Sequence, residues 1–204
     1  QNELLLALFG VLKGVEGQVT VGDGDGLAAS PHAAKTGRNR IALIPDDRKT
    51  EGLMLSLSIA DNIVAAAFDK VSTGPVLDRA RLDQAVAEGI ERLQIKAASP
   101  DDAVKTLSGG NQQKVVLAKW LMIDPDVILM NDPTRGIDVG TKQEIFRMMR
   151  ALADEGKSIL FYSSDYAELI GCSDRVIVLY DGRVVSELTG DEITEEAIVA
   201  ASLN

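Results

Sequence analysis

The sequence predicts an α/β domain built on a mostly parallel sheet, and three observations point there. Short apolar runs, Ile41-Ala42-Leu43-Ile44, Val127-Ile128-Leu129-Met130 and Ile159-Leu160-Phe161-Tyr162, read as buried strands. Amphipathic helical stretches lie between them, the alternation expected of parallel strands joined by helical crossovers. The composition is that of an ordinary globular protein: 204 residues, 46% hydrophobic and 25% charged. A chain of this length can bury a core without staples.

The elements follow in order. Leu4, Leu5, Leu8 and Val11 or Leu12 recur at helical spacing, so the first residues read as a helix. Nothing caps it and no strand precedes it, so the start reads as a cut edge. Val19 and Val21 suggest a short strand before the turn-rich stretch at 22–26. Asp23 and Asp25 hint at calcium, but an EF-hand loop needs a Glu at its twelfth position, where Ala34 stands. A hairpin turn is the expected reading. Pro45 ends the strand at 41–44, and Asp46-Asp47-Arg48-Lys49 is a polar loop.

Residues 58–97 read as helices, with Leu82, Val86, Ile90 and Leu93 forming an apolar stripe. Pro75 and Pro100 punctuate this block. The expected organisation is one domain, with a core of 1–46 and 106–204 and a helical subdomain of about 47–105 inserted between strands. Residues 111–122 read as a helix with Trp120 in the core. Ile145, Met148, Met149 and Leu152 mark another, closed by Gly156. Asp181-Gly182, between two apolar runs, predicts a tight hairpin. A last helix is expected at 193–202, and Asp191, Glu192, Glu195 and Glu196 read as its solvated, dipole-compatible start.

Several function classes drop out early. The formal net charge of -10 argues against nucleic acid as a partner, because phosphate binding needs a basic face. One cysteine, Cys172, excludes an internal disulfide and a multi-Cys metal site, and fits a reducing compartment. One histidine, His32, leaves little for a zinc site or a serine-histidine triad, and reads as a surface residue. The apolar runs fall far short of the ~20 residues of a spanning helix. No basic-then-apolar leader opens the sequence, so a soluble cytoplasmic location is expected.

The most informative segment is Leu107-Ser108-Gly109-Gly110-Asn111-Gln112-Gln113-Lys114. Glycines before a helix let the backbone approach a ligand, and the free amides with the dipole behind them suit an anion. Alone, the same residues also fit a plain N-cap and turn.

The segment resembles the LSGGQ signature of ABC-type ATPases, in the LSGGNQQK form of bacterial sugar importers. Asn131-Asp132-Pro133-Thr134-Arg135-Gly136-Ile137-Asp138-Val139-Gly140 is similar to that family's Walker B end, catalytic carboxylate and D-loop. Ile41 to Lys49, with Glu51-Gly52-Leu53, resembles the segment around the Q-loop. Gln1-Asn2-Glu3-Leu4-Leu5 resembles the helix after the P-loop. The likeness runs through nearly the whole chain in the right order. It implies a P-loop NTPase fold with a RecA-like core, ATP and Mg2+ as cofactors, and the second cassette of a tandem ribose-, galactose- or xylose-type importer. The implied partners are another ATP-binding cassette and transmembrane permease subunits, at the cytoplasmic face of the membrane.

The departures from the family pattern cluster at the nucleotide. A P-loop cradles phosphates with backbone amides, a lysine and a magnesium-binding hydroxyl. The resemblance puts Gln1 at the lysine and Asn2 at the hydroxyl position, with the glycines before the first residue. Asn131 stands at the Walker B aspartate and brings no negative charge to magnesium. Asp132, at the catalytic glutamate position, keeps a carboxylate one methylene shorter. Asp46 replaces the Q-loop glutamine, and Ser164 in Ser163-Ser164-Asp165 replaces the switch histidine. Losing one stabilising donor costs ~3–4 kcal/mol, so the chain's own site is expected to hydrolyse ATP very slowly. The signature, by contrast, is complete, and residues 107–113 are expected to serve ATP held by a partner. In the D-loop, Asp138 fits either a cross-dimer contact or a helix N-cap. Arg135 fits either a pair with a partner's carboxylates or a solvated side chain.

Overall fold

The computed structural model describes residues 1–22, 24, 25 and 28–203. Asp23 and Gly26 of the expected turn lie outside them. Residues 2–161 form one compact unit, and Gln1 with the residues from Tyr162 onward form another.

In the first unit, helix α1 (Asn2–Leu8) ends earlier than its apolar spacing suggests. Gly10 adopts φ 78°, and Val11 N–H reaches back to the carbonyl of Leu6, closing the helix in a glycine cap. Val11 and Leu12 are therefore past the helix and solvent-exposed. A Cβ on Gly10 would also lie 2.4 Å from the Ala28 carbonyl, so glycine is required twice over. Strands β1 (Thr20–Val21) and β2 (Gly24–Asp25) pair antiparallel, so part of the stretch expected as turn is itself strand. Helix α2 (Pro31–Thr36), not anticipated, begins at an N-capping Ser30 with Pro31 at its first position. It carries His32 on its exposed side.

Strand β3 (Ile41–Ile44) pairs parallel with β6 (Val127–Asn131), Ile41 opposite Val127 through Ile44 opposite Met130. Strand β7 (Ser158–Tyr162) flanks β6 on its other side, giving the order β3-β6-β7. Asp126 aligns the strand starts: its backbone N–H donates to the Arg40 carbonyl, and its carboxylate accepts from Arg40 N–H.

Residues 47–105 contain less helix than the sequence suggests. A single wide π-turn covers Arg48–Gly52. Helix α3 (Ile59–Val64) is held by a capping box between Ser58 and Asp61. A hairpin of β4 (Ser72–Thr73) and β5 (Val76–Leu77) then turns through Gly74 at φ 60°. The amphipathic helix α4 (Arg79–Arg92) follows, burying Leu82 and Val86.

Helix α5 (Gly109–Leu121) is buried along most of its length, and its Val115, Val116, Leu117 and Ala118 join one apolar cluster with residues of α3, α4, β3 and β6. Trp120 packs at the margin of that cluster and meets the Phe9 ring edge-on, with centroids 5.4 Å apart. Helix α6 (Val139–Asp154) buries Ile145, Met149 and Leu152 and closes at Gly156, φ 88°.

In the second unit, helix α7 (Tyr166–Cys172) precedes a hairpin of β8 (Arg175–Tyr180) and β9 (Arg183–Thr189). Asp181 and Gly182 both have positive φ, as the tight turn requires. Val176, Val178, Ile193 and Ile198 form its small core beneath α8 (Glu195–Ser202). Asp191, Glu192, Glu195 and Glu196 are all exposed, as expected for a solvated helix start.

Among the described residues no helix is long and apolar enough to cross a membrane.

Candidate functional site

The site lies where β6 ends. Ligands in parallel α/β sheets bind beyond the carboxyl ends of strands, where backbone groups and loop side chains converge. Asn131 is 6% exposed there, and its side-chain amide donates to the Asn2 carboxamide oxygen at 3.0 Å. The first residue of α1 is thereby tied to the last residue of β6. Asp132 follows at φ 46°, a left-handed conformation that Asp adopts more readily than most residues, and is also nearly buried. Arg135 N–H donates to the Asp132 carbonyl, so the loop through Pro133 and Thr134 turns back on itself.

Arg135 extends from that turn to Asp46 at the end of β3. Its Nη1 donates to both carboxylate oxygens, at 2.9 and 2.7 Å. That hydrogen bond and charge raise the Arg135 pKa further above its usual value, with Asp132 and Asp47 adding to the field. Arg48 crosses beneath, donating from Nη1 to the Arg135 carbonyl at 2.9 Å. Its second terminal nitrogen, Nη2, stands 2.8 Å from where a Gly109 Cβ would be. Arg48 thus joins the Q-loop-like segment, the D-loop-like turn and the signature-like turn. Nothing along the chain singles Arg48 out, because the three segments it joins are distant in sequence.

The signature-like turn has an exposed front and a packed back. Ser108 is exposed and caps α5, accepting from Asn111 N–H at 3.4 Å and from the Asn111 side chain at 3.0 Å. Asn111 in turn accepts from Lys96 N–H. Leu107 is half-buried and its carbonyl accepts from Gln112; Gln112 and Gln113 are buried. Gly110 is buried against Thr141, whose Cγ2 would lie 2.5 Å from an added Cβ. Thr141 was likewise missed by sequence reading. Its hydroxyl and N–H both donate to Asp138, the N-cap of α6, and these bonds hold the Asp138 carboxyl below its usual pKa. Asp138 is therefore a helix cap here. Gly136 supplies the positive φ before it, and Ile137 is buried.

The remaining expected positions are described within the second unit. Gln1 is exposed. Ser164 is exposed on the loop after β7, beside a buried Ser163 whose hydroxyl donates to Glu168 at 2.6 Å.

The donor set at the end of β6 does not fit a magnesium ion. Mg2+ demands hard oxygen ligands and is bound through one or two carboxylates. Asn2 and Asn131 are neutral and bonded to each other, so of these three residues Asp132 alone brings a negative charge. Among the described residues no group of three or more His, Cys, Asp or Glu side chains could hold a metal ion.

Comparison with known proteins gives a consistent picture. A family model described as "ABC transporter" matches residues 3–135. The chain is 57% identical over its whole length to the "Ribose import ATP-binding protein RbsA 1" of Mesorhizobium japonicum. It is 43% identical to the "Arabinose import ATP-binding protein AraG 2" of Burkholderia ambifaria, again over its whole length. It spans only 40% and 39% of those two relatives. In structure it resembles a dimeric ATP-binding cassette, MJ0796, bound to ADP and Pi, with a TM-score of 0.75 at 21% identity over 92% of this chain and 79% of that one. It also resembles the ADP conformation of the cassette MJ1267, with a TM-score of 0.78 at 19% identity over 100% of this chain and 83% of that one. These two likenesses speak to the fold, an ATP-binding-cassette α/β core.

Proposed function

Because the chain belongs to the ABC transporter family, we propose that it is the nucleotide-binding, energy-coupling ATPase domain of a bacterial carbohydrate importer. Within that importer it is the second cassette, with an impaired hydrolytic site of its own. Its Ser108, Gly109 and Gly110 complete an ATP site on a partner cassette.

The observation that carries this reading is a contrast within one unit. Ser108 stands exposed at the head of a well-capped helix, while at the two positions where the family pattern has a hydroxyl and a carboxylate, Asn2 and Asn131 bond to each other. The turn keeps every residue of the family signature, whereas two positions of the chain's own pocket carry neutral amides. The relatives' import names and their greater length support a tandem importer. The dimeric cassette among the structural neighbours supports a composite site. Residues 47–105, with Met54, Leu57 and Phe68 exposed, are the segment we assign to docking on permease subunits at the cytoplasmic membrane face.

The test is ATP turnover by the assembled transporter carrying Ser108→Arg. Turnover falls by about 100-fold, the loss typical of removing a positioned donor. Turnover at the wild-type rate ends the donor reading. A competent own site is the rival, since Asp132 keeps a carboxylate. Single-turnover hydrolysis confined to this cassette, at the rate of its partner, would establish that rival instead.

A further inference from the structure

We propose that the Asn2–Asn131 hydrogen bond takes the place of a divalent cation, so that the phosphate end of this pocket is built to work without metal. This rests on the reading of the α1 start and β6 end as the chain's own nucleotide pocket.

In P-loop nucleotide sites a hydroxyl at the start of the helix and a carboxylate at the end of the strand are joined through Mg2+. Here each position carries a carboxamide, and the two meet directly at 3.0 Å. Changing only one would leave the other partner facing a mismatched ligand shell. Changing both replaces an ion-mediated link between α1 and β6 with a neutral one, made of a donor and an acceptor that satisfy each other. The Asn131 side of the bridge is 6% exposed, while Asn2 reaches it from an exposed position at the start of α1.

The nearby acidic group at the end of β3 is already paired. Arg135 lies in the turn after Asp132, hydrogen-bonded through its backbone to the Asp132 carbonyl and through its guanidinium to Asp46. This fixed cation neutralises the acidic side chain that would otherwise attract a metal to the end of β3. Asp132 is the carboxylate left at the end of β6, and the two carboxamides beside it bring no charge and are bonded to each other.

The experiment uses Mn2+ as a paramagnetic probe and follows the side-chain amide signals of Asn2 and Asn131 in the full chain. In the wild type these signals keep their intensity as Mn2+ is added. The Asn2→Ser/Asn131→Asp variant, which restores hydroxyl and carboxylate and has neither amide, is followed by the paramagnetic resonance of free Mn2+, and binds Mn2+ tighter than the wild type by about tenfold or more. Selective loss of the Asn2 and Asn131 signals in the wild type overturns the inference while leaving the pocket reading intact. A folded double variant that binds Mn2+ no better than the wild type overturns the pocket reading itself. Asn131→Asp alone is the second variant should the double one not fold, since Asn2 can turn its amide toward the new carboxylate. It too gains Mn2+ affinity if the inference holds. Melting of the wild type with ATP is expected at the same temperature in Mg2+ and in EDTA, and a cation-dependent shift contradicts the proposal.

Discussion

Asn131 and Asn2, 129 positions apart, are joined by one amide-to-amide hydrogen bond at the junction of a strand end and a helix start. The bond fastens α1 to the central strand of the sheet. A net contribution of about 1 kcal/mol is expected for such a bond. Asn2→Ala, Asn131→Ala and the double variant, compared by denaturant unfolding, should give a coupling energy of that order. Strict additivity of the two changes would show that the bond contributes nothing to stability.

Gly110 meets Thr141 so closely that any side chain collides with it. Gly110→Ala should cost roughly 1–3 kcal/mol, as overpacking does, despite the better helix propensity of alanine. Thermal melting of the purified chain reads this directly, and an unchanged melting temperature would mean that α5 and α6 part easily.

Ser108 has two separable roles. As the cap of α5 it should contribute about 1 kcal/mol of stability that Ser108→Ala loses and Ser108→Thr largely keeps. If the exposed hydroxyl also serves a partner's nucleotide, Ser108→Ala lowers turnover of the assembled transporter by more than its effect on folding explains. Equal losses in both measurements would reduce Ser108 to a cap.

Lys119 is drawn into the protein, donating to the Gly52 carbonyl, and burial lowers its pKa from 10.5 to about 8. The folded state therefore holds fewer protons on Lys119 than the unfolded chain between these two values. Stability should rise with pH across that window, by at most about 3 kcal/mol from this group. Lys119→Met should flatten the rise in a pH series of unfolding measurements. A parallel series in the variant would show that Lys119 is not its source.

The strands of the sheet were legible because each is a short apolar run with a sharp end, Pro45 after Ile44 and the Asp132-Pro133 pair after Asn131. The hairpin at Asp181-Gly182 was legible for the same kind of local reason. Helix α1 was read too long because apolar spacing alone does not stop a helix, whereas Gly10 does. Helix α2 and the hairpin around Gly74 were missed although local signals existed: Ser30-Pro31 is a cap followed by a proline, and Gly74-Pro75 lies between β-branched residues. At the candidate site, motif order pointed to Ser108, Asn131, Asp132 and Asp46. It could not disclose that Asn131 would meet Asn2, or that Arg48 would run under Gly109, because those neighbours are made by the folded sheet.

Thr141 touches the signature-like glycine on one side and holds Asp138 on the other. Protein interiors transmit displacement because they are packed near crystal density. The two faces that this chain could present to a neighbour, one on each side of Thr141, are therefore geared together. A bulkier residue at 141 would press on the glycine and on the cap of α6 at once.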